Sequence, residues 1–377
     1  MESINKEFVL KVANELINID SPSSYTKSAI NYLKENIAKF NFETTLSNKG
    51  NLIVSIPGKD TSHTIGLSAH VDTLGLMVRS IKSDGKLAFT RIGGPMLPTL
   101  DGEYCRILTR EGKIYTGTIL STTPAAHVFP DATSAPRKED TMEIRIDEIV
   151  YSKEDTEKLG IQNGDIIAIE PKFTVTESGF IKSRFLDDKI SASALMGVLE
   201  YLHTHQIQPS CNIKIIFSTY EEVGHGSSWI PEDIEEFIAV DMGCIGLDLA
   251  CTEQDVSICA KDSSGPYDYE ITSKLIKLAK ENNLKYAVDI YPQYGSDVSA
   301  ALKGGNNIKG GLVGPGVNAS HGMERTHWDG VENTIKLVLY NTIRTIKAIV
   351  LFNFQIFVLK LFQPNKSYKT LHTSDQA

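Results

Sequence analysis

Apolar residues at helical spacing open the chain. Phe8, Val9, Val12 and Leu16 share one helix face, and the polar run at 21–26 breaks the pattern before a second predicted helix over 27–40. Strand texture follows: residues 51–56 alternate and stop at Pro57-Gly58, and 64–72 form a short apolar run ending in His70-Val71-Asp72. From 73 to 180 short alternating pieces sit between turn signals (Ser83-Asp84-Gly85, Gly93-Gly94-Pro95, Asp101-Gly102, Glu111-Gly112), with helical texture only over 153–159. That stretch predicts a small all-β barrel of about 100 residues.

After Ser183 an α/β rhythm returns. Ile190, Ala194, Leu195, Val198, Leu199 and Leu202 mark an amphipathic helix. Residues 213–219 read as a strand buried in a parallel sheet. Further strands are predicted over 237–240, 286–290 and 310–313, and helices over 266–282 and 333–346. Strands alternating with helices imply a doubly wound sheet. The same texture stands on both sides of the β region, so the expected organisation is a discontinuous α/β domain (1–72 and 181–347) with a barrel inserted at 73–180. His70 and Asp187 should then be neighbours in space. Residues 348–377 form a separate, atypical tail.

Composition narrows the function. The chain has 377 residues and a net charge of −9, with 41% hydrophobic and 23% charged positions, an ordinary globular balance. An acidic surface without a basic tract argues against a nucleic-acid partner. The longest apolar stretch, 348–362, is interrupted by polar residues and falls short of the ~20 needed to span a bilayer, so no membrane role is expected. Five scattered cysteines without a CxxC pair, and an N-terminus unlike a signal peptide, suit reduced thiols and a cytoplasmic protein.

The chemistry lies at predicted strand ends and strand-to-helix turns: His70 and Asp72, Asp187-Asp188, Glu221-Glu222, Asp241 and His321. In open α/β sheets ligands bind beyond the carboxyl ends of the strands, where these positions can converge. Taken singly, each has a structural reading: a core pair, a helix N-cap, a solvated strand end, a turn residue, a surface histidine. Together they supply mixed N/O donors that suit two divalent ions bridged by a carboxylate, with zinc, cobalt or manganese all reasonable. In His-x-Asp the imidazole can hold metal while the carboxylate holds its other nitrogen. Adjacent glutamates at the end of an apolar strand can divide into a ligand and a general base.

Six ordered motifs carry a resemblance: SAHVDTLG (68–75), SRFLDDK (183–189), STYEEVGHGS (218–227), AVDMG (239–243), GSDVSAAL (295–302) and ASHGMERTH (319–327). With them the sequence resembles the dinuclear aminopeptidases of metallopeptidase family forty-two, over roughly residues 5–345. The resemblance implies a zinc-peptidase-like α/β/α sandwich as catalytic domain, with an inserted β-barrel serving oligomerisation or substrate access. It implies two divalent ions per subunit, zinc or cobalt foremost. Asp187 would bridge them, His70 and Asp241 would hold one, and Glu222 and His321 the other. Asp72 would support His70, and Glu221 would be the general base that deprotonates a metal-bridged water. It further implies peptide substrates and a homo-oligomer of dimers building to a dodecamer. Thr73 stands where many members carry an acid. His225 and His327 lie in the motifs without an expected role, and Gly295-Ser296-Asp297 is expected to cap a helix. The alternatives are a dinuclear deacylase or amidase on the same fold, and a glycoside hydrolase, which would need two opposed carboxylates flanking a sugar.

Overall fold

The computed structural model describes residues 2–343; the expected tail and the end of the last predicted helix lie outside them. A ten-stranded sheet forms the frame. Its centre is four parallel strands in the order Cys211–Ser218, Asp60–His70, Glu236–Val240 and Lys309–Val317. Leu52–Ile56 and Val256–Asp262 flank them antiparallel. Register brings Ser218 opposite His70 and Ala239 opposite Ser68, so the carboxyl ends of the central strands finish at one edge.

These strands form because alternate side chains find different cores. Leu52, Val54, Ile215, Phe217, Ile238 and Val240 pack into the larger cluster, beneath the helices. Ile53, Ile216, Phe237 and Ala239 face the opposite cluster with Val298 and Ala301 of the short helix Asp297–Lys303. On the larger side, the helix Leu186–Thr204 lies between Lys6–Ile17 and Trp328–Thr342. It is buried nearly all round, as its position between two helices and the sheet requires.

The turn-rich stretch closes into a six-stranded barrel, from Gly75–Ile81 through to Ile166–Ile169, with its own core around Leu76, Phe89, Ile107, Ile119 and Ile144. It leaves the sheet directly after His70 and returns through Phe180–Ser183, which pairs with Glu324–His327. Arg106 on the barrel grips Asp20 of the sheet domain with two 2.6 Å hydrogen bonds. The observed fold is therefore α/β with a closed barrel, as the texture implied. The strands Glu43–Leu46 and Val256–Asp262 are additions to the elements expected from the sequence. Among the described residues no helix is long and apolar enough to cross a membrane.

Close strand packing reaches the functional edge at Gly314. A Cβ there would overlap the backbone carbonyl of Asp241. Gly314→Ala should therefore cost about 1–3 kcal/mol, the range for overpacking. Denaturant unfolding of the two proteins measures it, and an unchanged midpoint would show that the strands can yield.

Candidate active site

The residues singled out in the sequence meet at the carboxyl edge of the parallel strands. His70 ends its strand and is 1% exposed. Its Nδ1–H donates to the backbone carbonyl of Asp72 at 2.9 Å, and its Nε2 stands 3.1 Å from Asp187 Oδ1 and 3.7 Å from Glu221 Oε2. The other oxygen of Asp187 lies 3.5 Å from His321 Nε2, which is 3.6 Å from Glu222 Oε2. One carboxylate thus stands between two imidazoles whose strands and loops are far apart in sequence. Asp241 follows the strand Glu236–Val240 and completes a cluster with His70 and Glu221. A second cluster joins His70, Asp187 and Glu222.

Two local expectations change. Glu221 and Glu222 do not end a strand: the strand stops at Ser218 and Glu221–Val223 is a 3-10 turn, closed by Gly224 at φ 83°. The cause is Asp72, whose two carboxylate oxygens accept the backbone N–H groups of Glu221 at 3.1 Å and Glu222 at 3.3 Å, as well as the Ser23 hydroxyl at 2.5 Å. The Asp72 carboxylate stands 3.5 Å from the His70 ring, so it is the Asp72 carbonyl that makes the short contact there. Asp187 and Asp188 both have non-helical backbone angles, so the regular helix begins only after them, near Lys189 as expected.

Residues the sequence reading left unassigned support the cluster. Asp188 accepts the His70 backbone N–H at 3.2 Å. Glu324 accepts the N–H of Asp187 at 3.0 Å and of His321 at 2.9 Å, holding His321 at φ 65°. Asp297 accepts from the Ser218 hydroxyl at 2.6 Å and the Ser227 N–H at 2.8 Å, while Ser296 caps the helix as expected. From the far side, Lys49 donates to the His225 carbonyl and to Ser228 Oγ, and Asn51 donates to the Gly226 carbonyl at 3.0 Å. His225 itself is stacked on Tyr220 with ring centroids 5.0 Å apart. His327 caps the last helix by accepting from the Asp329 N–H at 3.0 Å. Glu324 lay inside a recognised motif; acid residues that accept backbone N–H groups carry no spacing signature by which to find them.

Electrostatics show what the cluster lacks. Burial pushes the Asp241 carboxyl up to about 7, and neighbouring Asp187 adds to it. Burial, then neighbouring acids, lift Glu221 and Glu222 well above the carboxylate range, although His70 works against this. Burial opposes charge on His70 and His321, yet Asp187 and, for His70, Asp72 outweigh it: His70 rises well above its ordinary value and His321 to about 9. Burial would raise Asp187, but hydrogen bonds from His321 and His70 hold it low. Several carboxylates are therefore crowded in a place that disfavours their charge. The buried Glu222 Oε1 has no hydrogen-bond partner. Divalent cations fit this environment: the donors are mixed N and O, they point inward, and an unpartnered carboxylate oxygen waits among them. A cavity of about 370 Å³ opens over the cluster, walled on its far side by Tyr294, Ser296 and Lys303.

An α/β sheet with this cluster at its carboxyl edge, and a barrel spliced in after the first histidine, defines a class of α/β peptidases. The chain belongs to the M42 glutamyl aminopeptidase family, whose model matches residues 50–337, and is a peptide hydrolase. It is 46% identical to a putative aminopeptidase, YhfE, of Bacillus subtilis strain 168, over 90% of this chain and 98% of that one. Its fold is similar to a TET aminopeptidase from the archaeon Thaumarchaeota archaeon SCGC AB-539-E09, with a TM-score of 0.81 at 20% identity, over 91% and 99% of the two chains. The TET1 peptidase of Pyrococcus horikoshii, described as assembling into a tetrahedron or a large octahedral shell, gives a TM-score of 0.77 at 23% identity, over 89% and 100%.

Glu324 bonds to the backbone of Asp187 and His321 and belongs to neither cluster of converging donors. Glu324→Ala should weaken metal affinity by about 10–100-fold, the usual effect of removing a group that orients ligands. Competition with a chromogenic chelator measures it; unchanged affinity would make Glu324 a fold residue only.

Proposed function

We propose that this M42 peptidase is a metal-dependent aminopeptidase that releases N-terminal residues from short peptides. The observation that carries the reading is Asp187, whose two oxygens separately face His70 and His321. A carboxylate so placed suits a bridge between two ions, with His70 and Asp241 at one and Glu222 and His321 at the other. When bound, two divalent cations would supply a water acidic enough to ionise near neutral pH and a Lewis acid for the scissile carbonyl.

Glu221 is the base in this scheme. Both glutamates border the cavity, and the Glu221 side chain is the more open, 15% exposed against 4% for Glu222. Glu221 takes the proton from the attacking water and returns it to the leaving amine nitrogen. Asp72 fixes both glutamates by their backbone, and its carbonyl holds His70 in the tautomer that leaves Nε2 bare. The acid-rich cluster also attracts a free α-ammonium group, which favours cleavage at the substrate's N-terminus. Zinc or cobalt suits the donors. We further propose that residues 73–180 are a separate unit serving assembly, that subunits associate as the TET peptidases do, and that the protein works in the cytoplasm.

The two glutamates make the sharpest test. Glu221→Gln should keep its metal and fold but lose turnover by at least ~10²-fold. Glu222→Gln should lose one ion and recover partly in excess metal. Metal stoichiometry beside steady-state kinetics reads both; a full metal complement and normal turnover in both variants would remove the assignment. Chelation should abolish hydrolysis of an aminoacyl anilide, and Zn²⁺ or Co²⁺ should restore it. Asp187→Ala should lose both ions, whereas His70→Ala should weaken mainly one; normal metal content in the first would count against the bridge.

A further inference from the structure

A second concavity, a groove of about 610 Å³, lies on the barrel. Its floor is the 94–98 loop, and its walls carry Arg79, Arg91, Arg137 and Lys138 against Glu139 and Asp140. This is a cationic place in a chain of net charge −9. Part of the charge is structural: Arg91 Nε donates to Glu139 at 2.9 Å, and Arg137 grips Asp101 at 2.7 Å, which pins the 137–139 segment to the barrel. The side chains of Arg79 and Lys138 make no ion pair or hydrogen bond among the described residues, and both are exposed. Asp140 is the acid left to oppose them.

The groove adjoins the active site. Gly94 belongs to its floor, and the Gly94 carbonyl accepts from His321 Nδ1 at 3.0 Å; the Met96 N–H donates to the His321 carbonyl at 3.1 Å. His321 borders the cavity over the acid cluster, and the groove's 94–98 loop is bonded to the same histidine. A peptide is a dipole, with an ammonium at one end and a carboxylate at the other. In the proposed reading the acid cluster receives the first, and the cationic groove attracts the second.

We propose that this groove binds a carboxylate on the leaving portion of the peptide substrate, with Arg79 and Lys138 as its specificity-determining residues. The carboxylate is that of the peptide's C-terminus or of an acidic side chain. Guanidinium and ammonium donors form charge-assisted hydrogen bonds to either. The inference rests on the aminopeptidase reading, because that reading sets which end of the substrate meets the acids.

The experiment uses the full chain, loaded with metal, as wild type and as the Arg79→Ala/Lys138→Ala double variant. Peptides of two to six residues are compared as C-terminal acid and C-terminal amide, and separately with Glu or Gln after the first residue. An aminoacyl anilide, which carries no carboxylate, is the control. In the wild type the anionic member of at least one pair should have a KM lower by about ten-fold, as one partly exposed charge-assisted bond provides. In the double variant that ratio should fall to within about two-fold, with anilide kinetics and thermal unfolding unchanged. The acid–amide arm reports the C-terminus and the Glu–Gln arm reports the side chain. Equal KM values within every wild-type pair, or a preference that survives the double variant, would overturn the proposal. Calorimetric binding of the same peptide pairs reads the groove independently of turnover. An idle anilide with discriminating binding would therefore condemn the aminopeptidase reading and not the groove.

Discussion

The structure turns on one carboxylate held between two imidazoles. Asp187 faces His70 on one side and His321 on the other, and those histidines come from opposite ends of the chain. Such a placement gathers further acids whose charge burial penalises. Compensating positive charge would offset that penalty. The cluster's geometry is the counterpart of that charge: donors converge, an oxygen of Glu222 is left without a partner, and the neighbouring carboxyls are pushed toward the neutral form.

Around this centre, acids also act as braces. Asp72 and Glu324 each accept two backbone N–H groups, and Asp188 and Asp297 one each, from segments that carry site residues. A carboxylate gripping two amides fixes a loop more firmly than side-chain packing does, because the bonds are charge-assisted and directional. This explains how a 3-10 turn and a left-handed histidine can position reacting groups without belonging to strand or helix. The 47–51 turn adds an outer brace through Lys49 and Asn51. The cavity over the site is lined by residues of the sheet domain, and the cationic groove of the barrel begins one contact from His321.

The sequence by itself determined the alternation of an α/β sheet with an inserted barrel, because side-chain period follows from which faces are buried, and that is local. It also determined the inventory of His70, Asp187, Glu221, Glu222, Asp241 and His321, since strand-to-helix turns after apolar runs are visible in composition. The bringing together of His70 and Asp187 across 117 residues could be expected from the shared α/β texture, but the 3.1 Å between them belongs to tertiary structure. So does the fate of Glu221-Glu222, which pattern reading placed on a strand and Asp72 drew into a turn. Glu324, Asp297 and the charge balance of the barrel groove were decided only in three dimensions. Their roles depend on which backbone amide or ion partner folding brings within hydrogen-bond reach, and a one-dimensional pattern contains no record of that partner.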